Sequence, residues 1–143
     1  MPCVVDASVV LKWFLREPDS AAADFLLEKF LNEEVQLLAP DLILVETASA
    51  FWKRAPVRKE LSIHEASLIF RDLLTLPLSL VASATLADAA LQLALTHSHS
   101  PYDAIYCALA IKRRCDFVTA DRALVNKLQG VFPFMVHISV IKP

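Results

Sequence analysis

Four acidic residues stand where ordinary surface charges do not fall. Asp6 closes the apolar run Cys3-Val4-Val5, and Asp121 closes Phe117-Val118-Thr119-Ala120. A helix-like apolar segment follows each at once, so each reads as the tip of a buried strand. Glu46 is the only charge from Leu42 to Trp52, and Asp103 the only one from Tyr102 to Ile111. A helix apolar nearly all round is a buried one, and a lone carboxylate there demands a compensating partner or a raised pKa. Singly, each aspartate reads more readily as a helix cap than as a ligand: Asp6 and Asp121 as N-caps, Asp103 as the last member of a Ser100-Pro101-Tyr102-Asp103 capping box. Glu46 alone reads equally well as a partly exposed side chain reaching water. Gathered together, four such acids repel one another unless a divalent cation lies among them. Oxygen-only donors suit Mg²⁺ or Mn²⁺. Such an ion acidifies a water and offsets charge on a phosphoryl oxygen, which fits phosphodiester hydrolysis.

The elements that must position these acids alternate. Strands are expected at Pro2 to Val5, Val35 to Ala39, Leu78 to Val81, Asp116 to Thr119 and Phe134 to Ile138. Helices are expected at Val9 to Leu15, from a cap at Asp19 or Ser20 to Leu31, from Pro40 at the first helical position to Lys53, and from the Ser62-Ile63-His64-Glu65 capping box to Leu74. Three more follow at Thr85 to Thr96, Pro101 to Arg113 and Arg122 to Leu128. This alternation implies an α/β fold with a mostly parallel sheet covered by helices on both faces. Ligands of such sheets bind beyond the carboxyl ends of the strands, where the winding direction changes. Asp6 and Asp121 share one site if their strands are neighbours. Ser8 and Thr119 lie beside them, able to hydrogen-bond a carboxylate or a water.

Composition narrows the classes. The chain has 143 residues, 56 % hydrophobic and 21 % charged, with a net charge of −2. That suits one domain spanning 1–143 with a substantial core. Bulk charge does not advertise nucleic acid, although a local basic patch suffices. Gly130 is the only glycine, so glycine-rich phosphate loops and a glycine-flanked nucleophile elbow are excluded. Cys3, Cys107 and Cys115 have no C-x-x-C spacing and read as buried structural thiols of a reduced, cytoplasmic chain. The most apolar window, Leu76 to Leu95, is interrupted by Pro77, Asp88 and Gln92, so no membrane span is expected. His64, His97, His99 and His137 lack the spacing of paired metal ligands and read as solvated or core histidines.

With these residues assembled, the chain resembles the PIN-domain ribonucleases, in particular the VapC-type toxins of toxin–antitoxin pairs. The matching motifs are Val5-Asp6-Ala7-Ser8, Pro40-Asp41-Leu42 through Val45-Glu46, Tyr102-Asp103-Ala104 and Val118-Thr119-Ala120-Asp121-Arg122-Ala123-Leu124. Each motif is short, but their order and length cover essentially the whole chain. The resemblance implies a three-layer fold with a five-stranded parallel sheet, Mg²⁺- or Mn²⁺-dependent cleavage of RNA, and neutralisation by a cognate antitoxin. It puts the family's acidic quartet on Asp6, Glu46, Asp103 and Asp121, and its accessory hydroxyls on Ser8 and Thr119. Many members carry Asn three residues after the helix acid; Ser49 stands there in this chain.

RNA contact requires cations near the acids, since phosphate contacts dominate nucleic-acid affinity. The candidates are Lys12, Arg16, Lys53, Arg54 and Arg122. The apolar surplus in Trp13, Phe14, Phe25, Phe30, Phe51 and Trp52 exceeds what strands and caps require. Most of it should be core, with the remainder available to a homodimer interface and an antitoxin groove. Two other readings of the sequence stand beside the toxin: an RNA-processing nuclease outside a toxin pair, and a non-catalytic protein-binding module whose acids are only caps. No residue is assigned as general base.

Overall fold

The computed structural model describes residues 1–143. In chain order the elements are β1 (Pro2–Val5), α1 (Ala7–Phe14), α2 (Ser20–Leu31), β2 (Gln36–Pro40), α3 (Leu42–Trp52), α4 (Ile63–Leu74), β3 (Ser79–Val81), α5 (Ala87–His97), α6 (Pro101–Arg113), β4 (Asp116–Thr119), α7 (Arg122–Leu128) and β5 (Met135–His137). The five strands form one sheet in the order β3-β2-β1-β4-β5, and every neighbouring pair is parallel.

The winding runs outward from β1 through β2 to β3, then returns to the other side of β1 at β4. Its reversal lies between β1 and β4, where Val5 is in register with Val118. Cys3 to Val5, Leu37 to Pro40 and Phe117 to Thr119 are buried without alternation, so the central strands are covered on both faces. Right-handed crossovers put α1–α4 on one face and α5–α7 on the other. On the second face, α6 is buried continuously from Ala104 to Ala110. Its Tyr106 ring stacks on Phe117 of β4, with centroids 5.6 Å apart. No helix is long and apolar enough to cross a membrane.

Several local expectations change. Pro40 ends β2 rather than opening α3. It lies past Leu38, the last residue of β2 paired with β1, where a missing N–H forfeits no bond to that strand. Pro56 does not simply stop α3: the chain widens into a π turn over Lys53–Val57, closed by Arg58 N–H donating to the Lys53 carbonyl. At the start of α2 neither expected cap forms. Asp19 is left-handed (φ 67°) and makes no side-chain cap, while Ser20 Oγ accepts from Glu17 N–H and donates to the Leu15 carbonyl.

The largest departure concerns α3. Only Ile43, Thr47 and Phe51 are buried, along one stripe, while Val45 and Trp52 are 67 % and 59 % exposed. Of the other surplus aromatics, Trp13 and Phe30 are buried, Phe14 is half-buried, and Phe25 is half-buried under the Lys29 ammonium. Cys3 and Cys107 are buried free thiols, pushed up to about 12 by burial; the half-buried Cys115 is also free and raised.

Candidate active site

Asp6 follows β1 and caps α1, accepting from Val9 N–H at 3.3 Å. Its Oδ1 also accepts from Ser8 Oγ at 2.5 Å, and its Oδ2 from Thr119 Oγ1 at 2.5 Å. Each hydroxyl is oriented in turn: Ser8 Oγ accepts from Ala120 N–H at 2.9 Å, and Thr119 Oγ1 from Asp121 N–H at 3.1 Å. With a backbone N–H on one side, each hydroxyl turns its proton to the carboxylate. Burial lifts the Asp6 carboxyl to about 6; the hydroxyl bonds offset only part of this, and the charge of Glu46 adds to it.

Glu46 is half-buried on α3 and accepts from the Tyr106 hydroxyl of α6 at 2.6 Å. Burial raises its pKa, the Tyr106 bond lowers it, and the charge of Asp103 raises it further. Asp103, on the first turn of α6, is raised by burial and by Asp121, against the lowering effect of His99 and Lys127. The expected capping box around Asp103 does not form. Ser100 Oγ takes the Tyr102 N–H instead, and no bond from the Asp103 carboxylate to the Ser100 backbone is made. Asp121 is exposed and caps α7, accepting from Leu124 N–H at 3.0 Å.

Asp6 feels Glu46, Glu46 feels Asp103, and Asp103 feels Asp121. Asp6 and Asp121 therefore lie at the cleft beyond the carboxyl ends of the neighbouring strands β1 and β4, and the Tyr106 bond ties Glu46 to the helix that carries Asp103. Asp6 and Asp121 are both helix caps there. The donor set is all oxygen, which suits a hard divalent cation. No three acidic, histidine or cysteine side chains converge on one point, so an ion here would draw much of its shell from water, as Mg²⁺ does.

The five basic candidates separate. Arg16 is held by Asp24 at 2.7 Å, Arg54 by Glu17 at 2.5 Å and Glu60 at 3.3 Å, and Lys12 approaches Glu17 at 3.8 Å. These three are engaged within the protein. Arg122 donates to His137 Nδ1 and Ser139 Oγ. Lys53 lines a cavity of about 500 Å³ with Glu46, Ser49 and Tyr102.

Four neighbours were not singled out as site residues. Tyr106 lies three residues after Asp103, and a buried tyrosine hydroxyl needs a partner; that signal was available. Lys127 acts on Asp103 only because α7 returns beside α6. His99 has a buried ring whose Nε2 is 3.4 Å from Asp103 Oδ2. His137 Nδ1 accepts from Ser139 N–H, so the network assigns the ring proton to Nε2, which donates to the Ala120 carbonyl. That bond ties β5 to the loop carrying Asp121.

Known proteins share this fold. The PIN domain family model matches residues 3–127. Ribonuclease VapC3 of Pyrobaculum aerophilum is 34 % identical over 138 residues, covering 95 % of this chain and 98 % of the relative. PAE2754 from Pyrobaculum aerophilum shares the fold with a TM-score of 0.68 at 22 % identity, covering 98 % of this chain and 85 % of that one. VapBC2 from Rickettsia felis, bound to a DNA fragment from its promoter, gives 0.65 at 12 % identity over 96 % and 97 %. A toxin–antitoxin complex from Klebsiella pneumoniae gives 0.63 at 16 % over 95 % and 97 %. The sheet order, the acids at its winding reversal and the reach of the family match lead to one placement: the chain belongs to the PIN domain family.

Proposed function

We propose that residues 1–143 act as one PIN-like domain, a Mg²⁺- or Mn²⁺-dependent endoribonuclease that is the cytoplasmic toxin of a toxin–antitoxin pair. The observation that carries this reading is that Asp6 and Asp121 follow the neighbouring strands β1 and β4 at the reversal, with the Tyr106 hydroxyl joining Glu46 to the helix of Asp103. The relation to ribonuclease VapC3 supports RNA as the substrate.

In this reading the four carboxylates hold the ion. Bound there, it supplies an acidified water and an electrostatic sink for charge on the phosphoryl oxygens. Ser8 and Thr119 fix both oxygens of Asp6, and Tyr106 fixes one oxygen of Glu46, so the donors are set before substrate arrives. Lys53 and Lys127 flank the acids and are the cations placed to meet phosphates on either side of the scissile bond. Arg122, held by His137, orders the loop carrying Asp121 rather than reaching out to RNA.

The antitoxin side rests on a second observation. A cavity of about 290 Å³ lies among Ala48, Phe51, Trp52, Ala55, Ile63 and Phe70, between α3, the π turn and α4. Trp52 and Ile63 are 59 % and 71 % exposed. An apolar groove of this kind takes the apolar face of a partner helix. The outer face of α3, with Val45 exposed beside the cavity containing Tyr102, is the surface offered for a homodimer.

The test is cleavage of a mixed single-stranded and structured RNA pool by the purified chain. Mg²⁺ and Mn²⁺ are each compared with EDTA, and Asp103→Asn serves as a folded control. Metal-dependent cutting, reduced about 100-fold or more in the variant, is the expected result. No cutting under either metal, with the variant equally stable and equally blind to Mn²⁺, would move the reading to a non-catalytic binding module.

A further inference from the structure

His99 lies outside the acidic quartet, and its ring is the most constrained polar group near it. Its side chain is only 8 % exposed, and neither ring nitrogen has a hydrogen-bond partner. A buried polar group left unpaired is destabilising, so its presence here calls for a physical reason. Nε2 lies 3.4 Å from Asp103 Oδ2, near enough for a hydrogen bond but without the direction of one.

The backbone holds the ring there. Ser98 ends α5 in the left-handed region (φ 51°), a conformation that disfavours any residue but glycine. His99 N–H then closes back on the Ala94 carbonyl at 3.0 Å, in the manner of a Schellman closure. One residue later Ser100 caps α6 through the Tyr102 N–H. His99 is thus pinned between the end of one helix and the start of the next, four residues before Asp103 on adjoining turns. Lys127 Nζ reaches the Ser98 carbonyl at 3.4 Å and buttresses the same turn from α7.

We propose that His99 is a positioning residue for Asp103, its Nε2–H donating to Oδ2 so that Oδ1 is turned toward a divalent cation in the cleft. Hydrogen bonds at such sites are commonly long before the ligand arrives and tighten with it. Rotation of the half-exposed Asp103 carboxylate would bring Oδ2 onto the Nε2–H direction. Outer partners that orient a ligating side chain are worth about 10- to 100-fold in metal affinity.

The inference rests on the metal site proposed above, and the experiment separates the two. Mn²⁺ affinity of the full metal-free chain is measured by calorimetry for wild type, His99→Gln, His99→Asn and His99→Leu, alongside the thermal midpoint of each. Gln carries a donor near the Nε2 position, whereas Asn reaches only as far as Nδ1. The proposal expects Gln to bind within about threefold of wild type, and Asn and Leu about tenfold more weakly. Midpoints should not follow that order, because Leu removes an unpaired buried polar group. Wild-type affinity in Asn and Leu would overturn the positioning role alone. Equal weakening in Gln, Asn and Leu would also overturn it, showing that ring shape rather than the donor matters. Should Leu fail to fold, the Gln and Asn pair still decides. No Mn²⁺ binding by wild type would overturn the metal site and the positioning role together.

Discussion

Helices α3 and α6 look alike in sequence and differ in the folded protein. Both are apolar around most of their circumference, and each carries a single carboxylate. Helix α6 lies across the central strands and buries seven consecutive residues, Ala104 to Ala110. Helix α3 buries only the stripe Ile43, Thr47 and Phe51 and leaves Val45 and Trp52 exposed. An all-round apolar helix therefore has two causes. One is immersion in the core; the other is a second apolar surface left exposed, which the proposed function gives to a partner. The lone carboxylate is common to both, because Glu46 and Asp103 approach the same cleft from opposite faces of the sheet.

Matched truncations test this contrast most strongly. Leu109→Ala on α6 removes a fully buried side chain and should cost about 3–4 kcal/mol in chemical denaturation. Val45→Ala on α3 should stay within about 0.5 kcal/mol. Equal losses would mean that α3 is as deeply packed as α6.

The acid at the tip of β1 can be weighed by pH. Asp6 titrates at about 6 in the folded chain, against an ordinary value of 3.8. The folded state binds the extra proton, so this contribution is fully present below the unfolded value and is lost as pH rises through 6. Metal-free stability should fall by roughly 2–3 kcal/mol between pH 4 and pH 7 on account of Asp6. Asp6→Asn should flatten that slope, and Glu46→Gln should reduce it. A slope unchanged in Asp6→Asn would show that the strain lies elsewhere.

Trp52→Ala addresses the exposed side of α3. It should weaken a groove-binding partner helix by about 2 kcal/mol, roughly 30-fold in Kd, with the fold intact. Ile111→Ala, at an exposed position of α6, should leave that affinity unchanged. The smallest effect is expected where the two helices meet. Tyr106→Phe deletes the hydroxyl on Glu46 and should cost about 1 kcal/mol. A larger loss would make that bond a fastening of the fold rather than an aid to the site.

Much of this was legible in the sequence because local chemistry marks it. Alternating strands and helices gave the parallel sheet, and the acids after Val5 and Ala120 lay at strand tips, as their neighbours implied. What escaped depended on distant partners. Whether Arg16 or Arg54 faces RNA is decided by Asp24, Glu17 and Glu60, which neutralise them. Whether α3 is immersed depends on how much of its circumference α1, α4 and the sheet cover, and hydrophobicity does not encode that. His99 and Lys127 gain their place from an α5–α6 turn and an α7 return that leave no motif. Pro40 was assigned to the wrong element because a proline suits both a helix start and a strand end.

The strand order has a consequence for how the chain is made. β1 emerges first, yet its lasting neighbour on one side is β4, and the hydroxyl that fixes Asp6 Oδ2 sits 113 residues downstream. At about 5–20 residues per second, roughly 6–23 s separate the synthesis of Asp6 from that of Thr119. Until then the first strand has no β4 to pair with, and its carboxylate no second hydroxyl. The cleft is a late product of translation, assembled only when the nascent chain has nearly all been delivered, so a truncated or stalled chain is born without it.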